Sequence, residues 1–191
     1  MPTDLPPHPS EADDDDDRDA ISSAASDAVH DAASDANAQA FATDVRADPQ
    51  RIHALAPRLH CGDARAERSA ALGCAILAQD APHLVQAALG RLVRVAHATE
   101  DPVIRAALAA TLPRLQLGSG EAARLAFVFE AWLEDSPPAL QRTAMDAMVA
   151  LVPQRPALAR RIRSVIERRA ALGSPTASRH GLALLAKLKE F

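Results

Sequence analysis

The strongest constraint on the fold of this chain is an arginine that recurs at a constant interval of 37 residues. Its four copies are Arg68, Arg105, Arg142 and Arg179. A constant period between about 20 and 50 residues is typical of repeat proteins, in which one structural unit is stacked several times. The period therefore predicts about four similar units rather than one irregular core.

The residues that follow each arginine indicate that the repeated unit contains an α-helix. In every copy the second residue after the arginine is small, and in the last copy it is Gly181. The third, sixth, seventh and tenth residues are mostly apolar, as in Leu108, Thr111, Leu112 and Leu115. This spacing forms one stripe along a helix, because 3.6 residues complete a turn. The small residue predicts a close approach between two helices.

A second helix precedes each of these helices. Leu92, Phe129 and Ile166 stand 37 residues apart in a further apolar column, and Gly and Pro residues separate the helical segments. Gly commonly follows the last turn of a helix, and Pro is favoured in the first turn of the next. We therefore predict an all-α fold, specifically an α-solenoid of four helix pairs. The expected repeats cover residues 46–80, 82–117, 119–154 and 156–191.

One segment of the chain resembles a known repeat family. The run from Asp101 to Arg105, with proline in its second position, resembles the second helix of HEAT repeats. The resemblance covers about three quarters of the chain, and it implies a hydrogen-bond ladder between stacked repeats, formed by this Asp and this Arg. Because Ala64, Pro138 and Pro175 replace the aspartate in the other copies, we expect an incomplete ladder. Armadillo-like repeats are the alternative.

We interpret the arginine column as structural rather than as a binding site for a polyanion. Each arginine stands just inside the start of its helix, where the HEAT pattern has a structural arginine. We expect these side chains to bond carbonyls or carboxylates between repeats. In the last repeat Lys189 replaces the apolar Ala78, Leu115 and Val152 of the earlier copies, which is typical of a terminal repeat.

Residues 1–45 differ in composition from residues 46–191. The first segment contains 12 acidic residues and one basic residue, and the second contains 13 acidic and 20 basic residues. The net charges are −11 and +7, respectively. A block such as the run from Asp13 to Asp17 repels itself and has little apolar surface to bury. We therefore predict a disordered acidic tail followed by one repeat domain.

The sequence has no features of secretion or membrane insertion. It lacks an N-terminal basic segment followed by an apolar run, and it has no stretch of 18 apolar residues. The two cysteines, Cys61 and Cys74, do not suggest a disulfide framework, and Cys74 falls in a core column. We expect a cytoplasmic protein without a membrane partner.

No group of residues has the spacing of a catalytic or metal-binding motif. His53, His60 and Cys61 lie close in sequence but lack the paired spacing of a zinc site. Gly118 and Gly120 fall in a turn between repeats rather than in a phosphate-binding loop, and no serine has the setting of a nucleophile elbow. We therefore predict a non-catalytic protein with no cofactor and no metal.

The first helix of the last repeat is rich in arginine. Arg160, Arg161, Arg163 and Arg168 spread over the face opposite the predicted buried stripe. Two interpretations stay open, namely an anion-binding surface for nucleic acid or an acidic protein segment, and an ordinary solvated face. In a further hypothesis, residues 1–45 lie on this surface and compete with an acidic partner.

Two aromatic residues of the third repeat have different expected environments. Phe127 lies far from the apolar stripe that contains Leu125 and Phe129, so it is either an exposed partner contact or packed laterally on a helix of an adjacent repeat. Lateral packing is the favoured interpretation. Trp132 lies in the stripe, so we expect it in the core rather than on a surface that stacks on nucleic-acid bases.

These observations favour a scaffold or adaptor for protein–protein interaction. Stacked helix pairs curve and form an extended concave surface, which the second helices should line. The alternative is a nucleic-acid-binding protein that uses the arginine-rich surface, distantly similar to the HEAT-like alkylpurine DNA glycosylases with their basic channel. A basic groove with exposed aromatic residues would favour nucleic acid, and a mixed or apolar groove would favour a protein partner.

Overall fold

Helices form all the regular structure in the part of the chain that the computed structural model describes, which is residues 33–134, 136–172 and 175–190. The all-α class is therefore confirmed for these residues. The α-helices are α1 (33–47), α2 (Arg51–Leu55), α3 (Ala64–Asp80), α4 (Pro82–Gln86), α5 (Leu89–Ala98), α6 (Pro102–Thr111), α7 (Ser119–Ala131), α8 (Pro138–Leu151), α9 (Ala159–Leu172) and α10 (Pro175–Lys187). Four 3-10 helices cover Ala56–His60, Leu112–Arg114, Pro156–Leu158 and Leu188–Glu190. The disorder predicted for residues 1–32 lies outside the described residues.

Capping groups determine where several helices begin. The Asp101 carboxylate accepts hydrogen bonds from two backbone N–H groups in the first turn of α6, at 2.8 and 3.2 Å. Asp63 caps α3 in the same way, at 3.0 and 3.2 Å. The helices α4, α6, α8 and α10 each begin with a proline, which has no N–H group to leave unpaired there.

Helix contacts follow the order of the chain. In the expected register, the first helix of each pair corresponds in turn to α2 with its 3-10 extension, to α4 and α5 together, to α7, and to α9. The second helices correspond to α3, α6, α8 and α10. Each second helix packs on the next one, so that α3 contacts α6, α6 contacts α8, and α8 contacts α10. Among the first helices, α5 contacts α7. The columns expected in the core are buried, including Leu92, Phe129 and Ile166, which are fully covered.

Helices approach closely where the sequence places small residues. A Cβ atom added to Gly181 would lie 3.0 Å from the Cβ of Ala170, so α10 contacts α9 at a distance that a larger residue would increase. The equivalent residues Ala70, Ala107 and Ala144 are buried. These positions agree with the close approach that the sequence pattern predicts.

A glutamine side chain joins two neighbouring pairs. The Gln154 amide group donates a hydrogen bond to the Pro113 carbonyl at 2.7 Å and accepts one from the Leu117 N–H at 3.2 Å. Leu117 and Gln154 stand 37 residues apart, so the contact repeats the register of the sequence. It satisfies backbone groups that follow α6 and that would otherwise lose their partners at the end of the helix.

The assignment of residues 33–45 to a disordered tail requires a correction. These residues belong to α1, which buries Ala38, Phe41, Ala42 and Val45. The Phe41 ring lies against Gly73 of α3 so closely that a Cβ atom there would be 2.5 Å from the ring. The net charge of residues 1–45 does not reveal this contact, in which the absence of a side chain at Gly73 leaves space for the Phe41 ring.

The second pair also differs in detail from the expected eight continuous helices. Its first helix is interrupted between α4 and α5, where the Ala88 N–H donates to the Val85 carbonyl at 2.9 Å, three residues back. This tight bond replaces the four-residue step of an α-helix.

No helix in the described ranges combines the length and the apolar character that a membrane crossing requires.

Candidate functional site

The arginine column forms one complete rung between neighbouring pairs. Arg68 of α3 donates from Nε to Oδ2 of Asp101 at 2.6 Å, while Oδ1 of the same carboxylate caps α6. The carboxylate is largely buried, with 17% of its side chain exposed. Asp101 therefore serves two purposes, because it begins one helix and connects that helix to the preceding pair.

The second arginine of the column uses an aromatic ring instead of a carboxylate. Arg105 donates from Nε to the Thr99 carbonyl at 2.9 Å, and its guanidinium lies 5.8 Å from the centre of the Trp132 ring in the next pair. Trp132 is 4% exposed and packs against Phe129, with ring centres 5.2 Å apart. Its predicted core position is confirmed.

The last two arginines of the column do not extend the ladder. Arg142 and Arg179 are exposed, and neither has a hydrogen-bond or ion-pair partner among the residues that the structure describes. The sequence explains the missing partner of Arg142, because Pro175 stands 33 residues after it, where Asp101 stands relative to Arg68; Pro138 stands at the same distance from Arg105. The incomplete ladder expected from the sequence is what the described residues show.

Two arginines of the predicted anion-binding surface are paired within the protein. Arg161 and Arg168 both reach Glu130 of α7, at 2.6 and 3.3 Å. The Glu130 side chain is 24% exposed, so one carboxylate partly neutralises two cations in a shielded position. We call Glu130, Arg161 and Arg168 the closed cluster.

Phe127 belongs to the same contact between α7 and α9. Its ring is 55% exposed, and the guanidinium of Arg161 covers it at 3.4 Å from the ring centre. Both sequence interpretations therefore describe part of the position, since one side of the ring packs on the next pair and the other faces solvent. Its role as a partner contact stays a prediction.

The other two arginines of this surface lie elsewhere. Arg163 donates to the Leu188 carbonyl at 2.7 Å, near the end of α10. Arg160 is exposed and has no partner within the described ranges. The four arginines therefore do not form one free surface, because three of them already bind atoms of this chain.

A cleft on the side of the first helices brings unpaired cations together. It has a volume of about 760 Å³, and its lining comprises Pro57, His60, Arg91, Arg94, Val95, His97 and Ala98. Within the described part of the chain, neither Arg91 nor Arg94 has a hydrogen-bond or ion-pair partner. We call this cavity the basic cleft. The sequence signal for it is that His60 and His97 stand one period apart.

The histidines and cysteines do not assemble a metal site in the described residues. His53, His60 and Cys61 are exposed, and no group of three metal-binding side chains occurs in those ranges. Cys74 is fully buried, and burial raises the pKa of its thiol to about 12. It packs as a small apolar residue in the expected core column.

An apolar groove crosses three consecutive second helices. It has a volume of about 470 Å³ and includes residues of α3, α6 and α8, namely Leu72, Ala75, Pro102, Val103, Ala106, Ala107, Ala110, Pro137, Ala139, Leu140 and Thr143. Among the described residues, the lining contains no charged side chain. The sequence pattern predicts a binding surface on these helices without identifying its members, because the pattern identifies the buried stripe rather than the solvent-facing one.

Comparisons of the chain with protein-family models, with curated proteins and with solved structures find no match.

Proposed function

We propose that this chain is a HEAT-like α-solenoid that acts as a non-catalytic scaffold for a protein partner. The order of contacts among α3, α6, α8 and α10 supports this architecture, because each repeat of a solenoid touches mainly its neighbours. The bond between Arg68 and Asp101 supports the HEAT-like assignment, since it joins the two residue types of the family's ladder across one repeat boundary.

The observation that carries the scaffold function is the apolar groove. It is continuous over three second helices, and Pro102, Ala110 and Ala139 in its lining are exposed to solvent. A contiguous apolar surface of this kind is typical of a binding site for a protein segment, which inserts apolar side chains and excludes water. We propose that the partner presents the apolar face of a helix, because the groove has no charged side chain to select a polar ligand.

Nucleic-acid binding has less support from the described residues. Trp132 is buried, and the exposed Phe127 ring is covered on one side by Arg161. Bases of single-stranded nucleic acid stack on accessible aromatic rings, and their phosphates need free cations. In the predicted arginine-rich surface, only Arg160 is without a partner in the described ranges.

We further propose that the protein resides in the cytoplasm. Both Cys61 and Cys74 are free thiols, which is consistent with a reducing compartment.

Site-specific photocrosslinking tests the scaffold function. A photoreactive amino acid replaces Ala110 in the groove or, as a control, Ala171 on the exposed surface of α9. After irradiation in nuclease-treated lysate, position 110 should give a discrete protein adduct, and position 171 should not. Sequencing of the adduct should identify an apolar helical segment.

A charge in the groove provides the matched variant. The double substitution Ala110→Glu and Ala139→Glu should abolish a crosslink from position 106, because burying unpaired carboxylates against an apolar partner is unfavourable. The control Ala171→Glu adds a carboxylate on α9 and should leave the crosslink unchanged. Equal adducts at positions 110 and 171 would contradict the proposed function, as would an adduct that forms only in lysate that has not been treated with nuclease.

A further inference from the structure

We propose that the basic cleft binds an acidic polypeptide segment, and that its occupant is this chain's own run from Glu11 to Asp17. The inference goes beyond the scaffold function, because it concerns the side of the first helices and not the apolar groove on the second helices. It assigns a binding site to the acidic run.

The chemistry of the basic cleft suits several carboxylates at once. Arg91 and Arg94 are three residues apart on α5, so their guanidinium groups project from the same face of the helix. Guanidinium groups bind carboxylates through paired, charge-assisted hydrogen bonds. His60 and His97 add ring nitrogens, and no aspartate or glutamate lines the cleft among the residues that the structure describes.

Competing carboxylates line a depression that adjoins the cleft. Glu67, Glu100 and Asp101 belong to this depression, which shares His60, Val95 and Ala98 with the basic cleft. Asp101 already binds Arg68, and Glu67 accepts a hydrogen bond from the Gly62 N–H, so Glu100 is the main competitor for the histidines. Neither Arg91 nor Arg94 lines that depression, so these two arginines provide most of the expected attraction.

The path of the chain brings the acidic run to this part of the protein. The described chain begins at residue 33, and Asn37, one turn further on, lines a depression together with Arg58. Arg58 directly follows Pro57, which lines the basic cleft. Fifteen residues lie between Asp17 and residue 33, and a fully extended segment of this length spans at most about 55 Å. A tether of this length is compatible with a run that binds the cleft while α1 stays in place.

Charge complementarity favours this cleft over the arginine-rich surface of α9. The run from Glu11 to Asp17 contains six carboxylates in seven residues. The closed cluster has already paired Arg161 and Arg168 with Glu130, so a tail bound there would have to displace that carboxylate. The basic cleft requires no such exchange, and we therefore place the tail there.

A nitroxide label on Cys61 tests the location of the tail. Cys61 is exposed and directly follows His60, whereas Cys74 is fully buried, so the folded full-length protein takes one label. The paramagnetic label broadens the backbone amide signals of residues that come near it. At low salt, the signals of residues 11–17 should broaden relative to those of the same sample after reduction of the nitroxide.

Two variants make the test specific. Replacing Arg91 and Arg94 by glutamine should abolish the broadening, and replacing Asp13 to Asp17 by asparagine should do the same without altering the cleft. The matched control replaces Arg124 and Arg160, which are also exposed and unpaired in the described ranges, and should leave the broadening unchanged. Raising the salt concentration to about 1 M should weaken the effect, because it shortens the screening length to about 3 Å.

Three results would overturn the inference. Residues 11–17 could keep sharp signals in the wild type, or the Arg124 and Arg160 control could lose the broadening as fully as the cleft variant. In a mixture of nitroxide-labelled protein with isotope-labelled Cys61→Ser protein, broadening of equal size would place the tail on a second copy. None of these results affects crosslinking in the apolar groove, so the two proposals fail independently.

Discussion

Helices α5 and α9 are both first helices with several arginines, yet their arginines have different environments. On α9, Arg161 and Arg168 face the Glu130 carboxylate of α7. On α5, Arg91 and Arg94 line a cleft in which the described residues include no carboxylate. The comparison shows that arginine content does not define a binding surface. Carboxylates on the neighbouring helix decide whether an arginine stabilises the stack or is available to a ligand.

The largest expected effect is a difference in thiol reactivity between an exposed cysteine and a buried one. Cys61 lies beside the basic cleft and should react with iodoacetamide within minutes in the native protein. Cys74 should react only on unfolding, because it is inaccessible and its pKa of about 12 leaves about one thiol in ten thousand ionised at pH 8. Mass spectrometry should find one modification in the native protein and two in denaturant. Two rapid modifications in the native protein would show that the core columns are open.

The next prediction compares an aspartate that bonds an arginine with one that does not. Asp101→Ala removes both the cap of α6 and the bond to Arg68, so it should lower the free energy of unfolding by about 2 kcal/mol. Asp63→Ala removes only the cap of α3 and should cost about 1 kcal/mol. Urea unfolding of both variants measures the difference. Equal losses would mean that the Arg68 bond contributes nothing to the stack.

Removing the Glu130 charge from the closed cluster should leave arginines of α9 unpaired, like those of α5. Glu130→Gln leaves Arg161 and Arg168 without their carboxylate, so we expect a loss of up to about 1 kcal/mol in unfolding free energy and tighter retention on heparin. The control Glu167→Gln makes the same change in net charge at an exposed position of α9. If both variants elute at the same salt concentration, the pairing does not restrict the availability of these arginines.

The smallest change in stability is expected for Arg142, the column arginine compared here with Arg68. Arg142→Gln should change the free energy of unfolding by less than about 0.5 kcal/mol, because the exposed side chain has no partner in the described ranges. Arg68→Gln should cost about 1 kcal/mol through the loss of its bond to Asp101. A loss at Arg142 as large as that at Arg68 would contradict the difference between the two ends of the column.

The period made some of these contacts predictable from the sequence. The bond between Arg68 and Asp101 follows from the register, because both residues belong to the column pattern. The pairing of Glu130 was missed, although a signal existed. Glu130 stands 31 and 38 residues before Arg161 and Arg168, close to one repeat, which is where a neighbouring first helix comes within reach.

The basic cleft and α1 could not be predicted in the same way. Arg91 has no arginine at the equivalent positions one or two periods away, and Arg94 recurs only as Arg168, so only the three-dimensional arrangement shows that they converge with His60 and His97 on one cavity. Helix α1 lies outside the period altogether. Its packing includes a close contact between the Phe41 ring and a glycine of α3, which no helical periodicity indicates.

The central claim is that the chain is a stack of interchangeable helix pairs, and excision of one pair tests it most directly. Deleting residues 119–155 removes α7 and α8, one full period, and joins Gly118 to Pro156 at the start of the next pair. A control deletes residues 119–136 and leaves α8 without its first helix. The stack predicts that the first variant keeps its helical circular dichroism per residue and unfolds cooperatively, whereas the control loses helical structure. Equal loss of helical structure in both variants would contradict the repeat architecture.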